Sequence, residues 1–188
     1  MLSQTSLDTE NMEDPIRLIS SRWIHQGRLA KVREDKVILP RGTEDTYEYL
    51  EIKAGATTLA VEDNLDVWLV HEWKYAVGRY SLEAVSGGIE LGEEPAATAR
   101  RELREEVGLA AAELTPMGFV DPFTTMLRCP NYLFLARGLT HCGHDHEEGE
   151  LIRIIRMPLR EAVAKVMAGE ITHGSSAVAI LKASAMLA

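Results

Sequence analysis

Residues 86–109, with the sequence SGGIELGEEPAATARRELREEVGL, form the stretch that decides the expected fold. It opens on a pair of glycines, continues through Pro95 into alanines and charged residues, and reaches Gly108 near its end. Proline is favoured in the first turn of a helix, and glycine commonly follows the last turn. The stretch therefore predicts a loop followed by one helix over residues 95–107.

Three glutamates of this helix are spaced i, i+3 and i+4: Glu102, Glu105 and Glu106. That spacing places their carboxylates on one face of an α-helix, where like charges repel. A hard divalent cation with oxygen ligands would offset the repulsion. Taken alone, such a triplet is more typical of a solvated helix face neutralised by interleaved arginines. Its context favours chemistry, because a glycine pair and a further acid, Glu93, precede it and Arg101 is adjacent.

Together these residues resemble the Nudix box, whose pattern is G-x5-E-x7-R-E-U-x-E-E-x-G-U with U a bulky aliphatic residue. All nine specified positions are occupied without an insertion, by Gly87, Glu93, Arg101, Glu102, Leu103, Glu105, Glu106, Gly108 and Leu109. So long a pattern rarely matches by chance. The resemblance implies a Nudix hydrolase, which cleaves a nucleoside diphosphate linked to another moiety. It implies an α+β fold, an α/β/α sandwich with a mixed β-sheet, in which the box forms a loop-helix-loop.

The resemblance also implies roles for individual residues. Glu102, Glu105 and Glu106 would bind Mg²⁺, or Mn²⁺ in its place, and the last two count as catalytic through the metal. Glu93 and Arg101 would fix the loop geometry by an ion pair. Bound cations would polarise the pyrophosphate and lower the pKa of an attacking water.

Two glycines and two backbone carbonyls complete the implied box. Gly87 would let the backbone turn tightly, and Gly108 would end the helix. The carbonyls of Gly87 and Ala96 are further candidate metal contacts.

Residues 70–84, VHEWKYAVGRYSLEA, are similar to the ADP-ribose pyrophosphatase and nucleoside diphosphate sugar hydrolase branch of the family. In that branch a strand and a basic loop lead to an L-E-x-x-x-G segment before the box. The resemblance implies that Arg79 contacts the diphosphate and that Glu83 lies near the nucleobase or the box. The alternative for Arg79 is a surface cation beside an acidic patch.

Downstream of the box, residues 121–124 (DPFT) stand where the branch commonly has S-P-G. Phe123 replaces the glycine, which leaves the choice between ADP-ribose and a related nucleoside diphosphate sugar open. Phe123 itself either stacks on a base or sugar or packs as a buried aromatic.

An acidic loop at residues 145–150 corresponds to the loop that supplies the general base in this branch. Alignment backward from Met157 places Glu148 at the position of the general base, with Glu150 as the alternative. The non-functional interpretation is an ordinary solvated acidic loop. The neighbouring run HCGHDH at residues 141–146 contains zinc-ligand side chains. A single short run wraps a tetrahedral ion poorly, so the sequence disfavours a zinc site.

Composition limits the class of protein. The 188 residues suggest one domain, and a formal charge of −9 opposes binding to nucleic acid. Two cysteines form no disulfide framework, and neither a signal peptide nor an apolar run long enough to span a membrane occurs. We therefore expect a cytoplasmic protein with no membrane or nucleic-acid partner.

The expected organisation has three parts: a flexible tail over residues 1–14, a β-rich N-terminal extension over 15–55, and the Nudix hydrolase domain over 56–188. Strands are predicted at residues 22–24, 36–39, 46–52, 67–70, 117–120, 132–136 and 151–157, and further helices at 159–168 and 175–187. Members of the branch usually form homodimers through N-terminal strands, so the extension is a candidate dimerisation element. An intramolecular hairpin sheet is the alternative.

The expected activity is Mg²⁺-dependent hydrolysis of ADP-ribose or a related nucleoside diphosphate sugar to a nucleoside monophosphate and a sugar phosphate. The alternatives are a Nudix hydrolase of nucleoside triphosphates, dinucleoside polyphosphates or coenzyme derivatives, and a non-catalytic nucleotide sensor.

Overall fold

The computed structural model of the protein describes residues 14–143 and 152–188. The chain forms two compact units, Met1–Ile52 with Thr125–Arg128, and Lys53–Thr124 with Cys129–Ala188. In chain order the strands are β1 (Arg17–Gln26), β2 (Ala30–Ile38), β3 (Glu44–Ile52), β4 (Gly55–Val61), β5 (Asp66–Lys74), β6 (Arg79–Glu83), β7 (Val85–Gly88), β8 (Leu109–Val120), β9 (Leu127–Arg128), β10 (Asn131–His141) and β11 (Arg153–Pro158). The helices are α1 (Pro95–Val107), α2 (Leu159–Met167) and α3 (Gly174–Met186), and a 3₁₀ turn spans Tyr75–Val77.

The first unit is a sheet with the strand order β1-β2-β3-β9. The first three strands are antiparallel neighbours, and β9 pairs with β3 in parallel. Among the described apolar residues of this unit, from residue 14 onward, only Val37 is buried, whereas every residue of β1 is exposed. Its sheet faces therefore carry exposed apolar side chains, among them Leu18, Trp23 and Ile24.

The second unit contains a mixed sheet in the order β11-β5-β4-β10-β8, with β6 paired to β5 and β7 paired to β4. Strands β4 and β10 are parallel, while the other pairs are antiparallel. One face of the sheet packs on α2 and α3 through Leu59 and Ile180. The other face packs on α1 through Ala60 and Leu103. The predicted α+β sandwich with a mixed sheet is confirmed.

Strand β4 is the central element that the sequence analysis did not predict. All of its seven residues, GATTLAV, are buried. Because both faces of a central strand are covered, its sequence lacks the alternation of apolar and polar residues that marks a half-exposed strand. A turn at residues 62–65 joins β4 to the antiparallel β5, with Leu65 in the left-handed region at φ 65°.

Helices α2 and α3 lie within one residue of their predicted bounds. None of the helices formed by residues 14–143 and 152–188 is long and apolar enough to cross a membrane.

Candidate active site

Helix α1 is the element that positions the carboxylates. Pro95 occupies its first turn, and Gly108, with φ 65°, ends it by donating its N–H to the carbonyls of Leu103 and Arg104. Leu103 and Val107 are fully buried against the sheet. Packing of this apolar side leaves the three glutamates on the neighbouring, half-buried side of the helix.

Glu93 is held in the loop before α1 by four hydrogen bonds. Its carboxylate accepts bonds from Arg101 Nε at 3.1 Å and Arg101 Nη2 at 3.2 Å. It also accepts bonds from Thr98 Oγ1 at 2.7 Å and from the Glu90 N–H at 3.1 Å. The Arg101 bonds, followed by those of Thr98 and Glu90, hold the pKa of Glu93 at about 2. The loop is therefore tied to the helix by an ionised carboxylate.

Arg101 also engages two of the three glutamates. Its Nη1 donates to Glu102 Oε1 at 2.6 Å and to Glu105 Oε2 at 2.9 Å, and its Nη2 donates to the Gly88 carbonyl at 3.2 Å. These carboxylates raise the pKa of Arg101 further, so the guanidinium stays charged. One cation thus offsets the repulsion that the sequence spacing predicts, and it joins α1 to the end of β7.

Glu106 points towards the same strand. Its Oε2 accepts a hydrogen bond from the Ser86 N–H at 3.2 Å. Burial, followed by the charge of Glu102, raises the pKa of Glu106 to about 8, and Ser86 and Lys74 only partly oppose this. Burial also raises the pKa of Glu102. Both carboxylates therefore lie where an added cation would be strongly stabilised.

Gly87 lies directly against Glu102. A β-carbon on Gly87 would overlap the Glu102 carboxyl group, so only glycine allows this approach. The close approach of this backbone to the helix brings the Ser86–Gly88 segment, Glu102 and Glu106 together.

This donor set fits a divalent cation in its chemistry. Carboxylate and carbonyl oxygens are the ligands that Mg²⁺ and Mn²⁺ prefer. Within the described residues, however, no three His, Cys, Asp or Glu side chains converge into a cluster that could hold a metal ion. Arg101 occupies one oxygen of Glu102 and one of Glu105, so a cation shared by these two residues would bind their other oxygens or displace the guanidinium.

The remaining predicted metal and base residues are placed differently. Ala96 is exposed in the first turn of α1, six residues before Glu102, which corresponds to about 9 Å of helix rise. The structure therefore does not bring Ala96 to the carboxylates. Glu148 and Glu150, with residues 144–146 of the His/Cys run, lie outside the described residues.

Arg79 begins β6, is exposed, and donates from Nη2 to Thr172 Oγ1 at 3.0 Å. Its cross-strand partner on β5 is Lys74. Two cations therefore stand side by side on the β5–β6 pair. Phe123 is also exposed, so it is not the buried packing aromatic that one alternative described.

Glu83 ends β6 and is only 7% exposed. Its Oε2 lies 3.9 Å from Lys74 Nζ and 3.4 Å from His173 Nδ1. Lys74 also donates to Glu72 at 2.5 Å. Burial alone would lower the pKa of Lys74, but Glu72 and Glu83 outweigh it and raise the value. Their charges keep this ammonium protonated.

Four residues of this region were not predicted from the sequence: Glu72, Lys74, Ser86 and His173. Glu72 and Lys74 are two positions apart on β5 and so share one face of the strand, whereas residues 71 and 73 lie on the other. Strand periodicity was therefore a signal for Glu72 and Lys74. Ser86 acts through its backbone, and His173 lies far away in the chain, so neither carries a local signal.

Comparisons with known proteins place this geometry in a family. The family model described as "NUDIX domain" matches residues 52–174, and the one described as "Nucleoside diphosphate sugar hydrolase N-terminal domain" matches residues 16–50. The chain is 31% identical over 178 residues to "ADP-ribose pyrophosphatase" of Mycobacterium tuberculosis, covering 93% of this chain and 86% of that protein. It is 28% identical over 173 residues to "ADP-ribose pyrophosphatase" of Bacillus subtilis, covering 87% and 90%.

A solved structure described as "Crystal structure of ADP compounds hydrolase" is similar with a TM-score of 0.80 and 20% sequence identity, covering 94% of this chain and 96% of that one. At that identity the likeness concerns the fold alone, and it confirms the Nudix sandwich expected from the box.

Proposed function

The chain belongs to the NUDIX family, as a hydrolase of the ADP-ribose pyrophosphatase type, and from this premise we propose that it cleaves ADP-ribose or a related nucleoside diphosphate sugar. Water adds to one phosphorus of the diphosphate, and the bridging oxygen leaves with the other. The products are a nucleoside monophosphate and a sugar phosphate.

The observation that carries the proposal is the pairing of Glu102 and Glu106 against the Ser86–Gly88 backbone. Burial raises the pKa of Glu102 and that of Glu106, the latter to about 8. Carboxylates in such a position are ready to hold a divalent cation, proposed to be Mg²⁺ with Mn²⁺ as a substitute. When bound, this cation supplies Lewis-acid polarisation of the diphosphate and activation of the attacking water.

The chain's own cations complete the proposed site. Arg79 is proposed to bind a diphosphate oxygen through the N–H groups that Thr172 does not use. Lys74 lies beside Arg79 and lowers the local negative charge. This compensation is needed because both the protein and the substrate are anionic.

Arg101 and Glu93 are proposed to hold the loop in place rather than to contact substrate. The general base is proposed to be Glu148, with Glu150 as the alternative. A carboxylate is suited to take the proton from the attacking water when nearby cations and burial bring its pKa towards the working pH.

The protein is proposed to act as a homodimer. The N-terminal sheet leaves Leu18, Trp23 and Ile24 exposed, and a small sheet with so few buried apolar residues is marginal alone. The match of residues 16–50 to an N-terminal domain of nucleoside diphosphate sugar hydrolases supports a common role for this element.

The proposal is tested by incubating the purified full chain with Mg²⁺ and a panel of nucleotides, and by measuring product masses. ADP-ribose, other nucleoside diphosphate sugars, nucleoside triphosphates and dinucleoside polyphosphates form the panel. We expect a nucleoside monophosphate and a sugar phosphate from the first two classes. Cleavage of triphosphates alone would refute the sugar assignment.

A further inference from the structure

Glu83 is a nearly buried carboxylate with unused hydrogen-bonding capacity. Two nitrogen atoms lie near its Oε2: His173 Nδ1 at 3.4 Å and Lys74 Nζ at 3.9 Å. No group in residues 14–143 or 152–188 donates a hydrogen bond of normal geometry to it. A buried carboxylate usually accepts several hydrogen bonds, so Glu83 is poised to accept one from a ligand.

His173 is held in place beside Glu83 by Ser176. The residue immediately precedes α3, and its Nδ1 lies 2.8 Å from Ser176 Oγ. Ser176 Oγ in turn accepts a hydrogen bond from the Ala84 N–H at 2.8 Å. Because Ala84 follows Glu83 in the chain, one buried hydroxyl fixes both the imidazole and the strand that carries the carboxylate.

The charges around His173 favour a neutral ring with its proton on Nδ1. Burial lowers the pKa of His173, and Lys74 acts in the same direction, while Glu83 opposes them. A carboxylate oxygen 3.4 Å from Nδ1 stabilises the tautomer that carries the proton there. In that tautomer Nδ1 donates to Ser176 Oγ at 2.8 Å, and Glu83 Oε2 lies 3.4 Å away as an electrostatic neighbour.

His173 also borders a cavity of about 500 Å³ between the end of β8 and the start of α3. Polar side chains of Asp121, Thr172 and Ser175 contribute to its lining. Thr172 is the residue that accepts a hydrogen bond from Arg79. A substrate with its diphosphate on Arg79 would therefore lie close to Thr172, at the edge of this cavity.

We propose that His173 is a positioning residue, which orients Glu83 so that the carboxylate accepts a hydrogen bond from a sugar hydroxyl of the substrate. The inference rests on the proposed function, because it concerns how a nucleoside diphosphate sugar is bound. His173 itself does not contact the reacting atoms. Its effect is exerted through Glu83 on substrate affinity.

A pair of variants separates this role from simple packing. Asparagine can place its amide N–H near the position of Nδ1, whereas glutamine places it near Nε2. We expect His173→Asn to keep KM within about threefold of the wild type, and His173→Gln to raise KM about tenfold with kcat changed less than about twofold. Asparagine is also a favoured residue at this position before a helix, so His173→Asn is expected to fold.

A double-mutant cycle tests the route through Glu83. Both His173 substitutions are repeated in a Glu83→Gln background, and the Kd of ADP-ribose is measured by calorimetry in EDTA, where no hydrolysis occurs. If His173 acts through Glu83, the two double variants bind equally within about twofold. A difference that persists undiminished in this background would overturn the inference.

The control is His141→Asn, which changes a histidine that packs edge-on against Trp68 away from this cavity; it should leave KM and Kd unchanged. Equal KM values for the wild type and His173→Gln would also overturn the inference. A wild type that binds ADP-ribose but hydrolyses no nucleoside diphosphate sugar would refute the proposed function alone, since the Kd cycle still decides the role of His173. A wild type that neither binds nor cleaves any nucleoside diphosphate sugar of the panel, ADP-ribose included, would refute both.

Discussion

At Glu106, burial and the neighbouring Glu102 act together against the ionised carboxylate, while Ser86 and Lys74 stabilise it only in part. A group in this position is costly to the metal-free fold when charged, and it gains most from a cation. The charge of Glu106 therefore favours cation binding but lowers the stability of the metal-free fold. A neutral substitution should lower activity without lowering that stability.

Glu106→Gln is expected to lower kcat for ADP-ribose by about two orders of magnitude or more, because an anionic cation ligand becomes neutral. Its Tm in EDTA at pH 8 should equal or exceed that of the wild type, since a buried charge is removed. Kinetic assays with Mg²⁺ and thermal unfolding measure the two effects. Glu113→Gln, at an exposed position on β8, is the matched control and should change neither quantity. An unimpaired rate in Glu106→Gln would contradict the proposed site.

The stability of the metal-free protein should fall as the pH rises from 7 to 9. The folded-state pKa of Glu106 is about 8, above the ordinary value of 4.5, so the folded state binds this proton more tightly than the unfolded state. The stability gained from it is fully present below about pH 4.5 and is lost as the pH rises through about 8. Burial shifts the pKa of Glu102 in the same direction.

Thermal unfolding in EDTA across this range measures the effect. A drop of several degrees is expected, because about 1 kcal/mol changes the Tm of a domain of this size by roughly 2–4 °C. The drop should shrink in Glu106→Gln. An equal drop in the variant would show that other groups cause it.

At the scale of the element, α1 holds its carboxylates in place through its buried side. Leu103, which follows Glu102 in the chain, is fully buried in the cluster that also contains Ala60 and Val107. The helix is therefore oriented by packing, and its hydrogen-bonded loop is fixed by Arg101 and Glu93. Loss of packing should loosen the carboxylates as well as the core.

Leu103→Ala is expected to lower the free energy of unfolding by about 2–5 kcal/mol, since it leaves a cavity in a closely packed core. Leu91→Ala is the matched control, because Leu91 is fully exposed and the same truncation there should cost less than about 0.5 kcal/mol. Urea unfolding measures both values. Similar midpoints for the two variants would contradict the assigned packing of α1.

The two faces of the β5–β6 pair carry different kinds of side chain, ionic on one face and aromatic on the other. Glu72, Lys74 and Glu83 form the ionic cluster, whereas His71 stacks on Tyr80 with ring centroids 5.0 Å apart on the alternate positions. Period-two alternation separates the two sets along each strand.

At the scale of the whole molecule, the N-terminal sheet presents apolar side chains that its own chain leaves exposed. If a second copy covers them, the full chain should elute as a dimer at micromolar concentration, with its mass measured by light scattering. Leu18→Glu combined with Ile24→Glu should shift it towards monomer, because charges at an apolar interface are desolvated without partners. Ser20→Glu, on the same exposed strand, adds a charge without removing an apolar group and should remain dimeric. A monomeric wild type would refute the dimer proposal.

The sequence by itself determined α1, its bounds and the common face of its three glutamates. Helical period and end residues act within about four positions, so a local pattern records them. The Nudix fold followed from the same stretch, because its nine specified positions are close together in the chain.

Only the tertiary structure decided the central strand β4, the sharing of Arg101 between Glu102 and Glu105, and the contact of Glu83 with His173. Strand β4 is buried on both faces and so carries no alternation. Glu83 and His173 are 90 positions apart, and Nδ1 comes within 3.4 Å of the carboxylate only because α3 packs against the sheet. Such contacts depend on how distant segments pack, and no local period of the sequence encodes that arrangement.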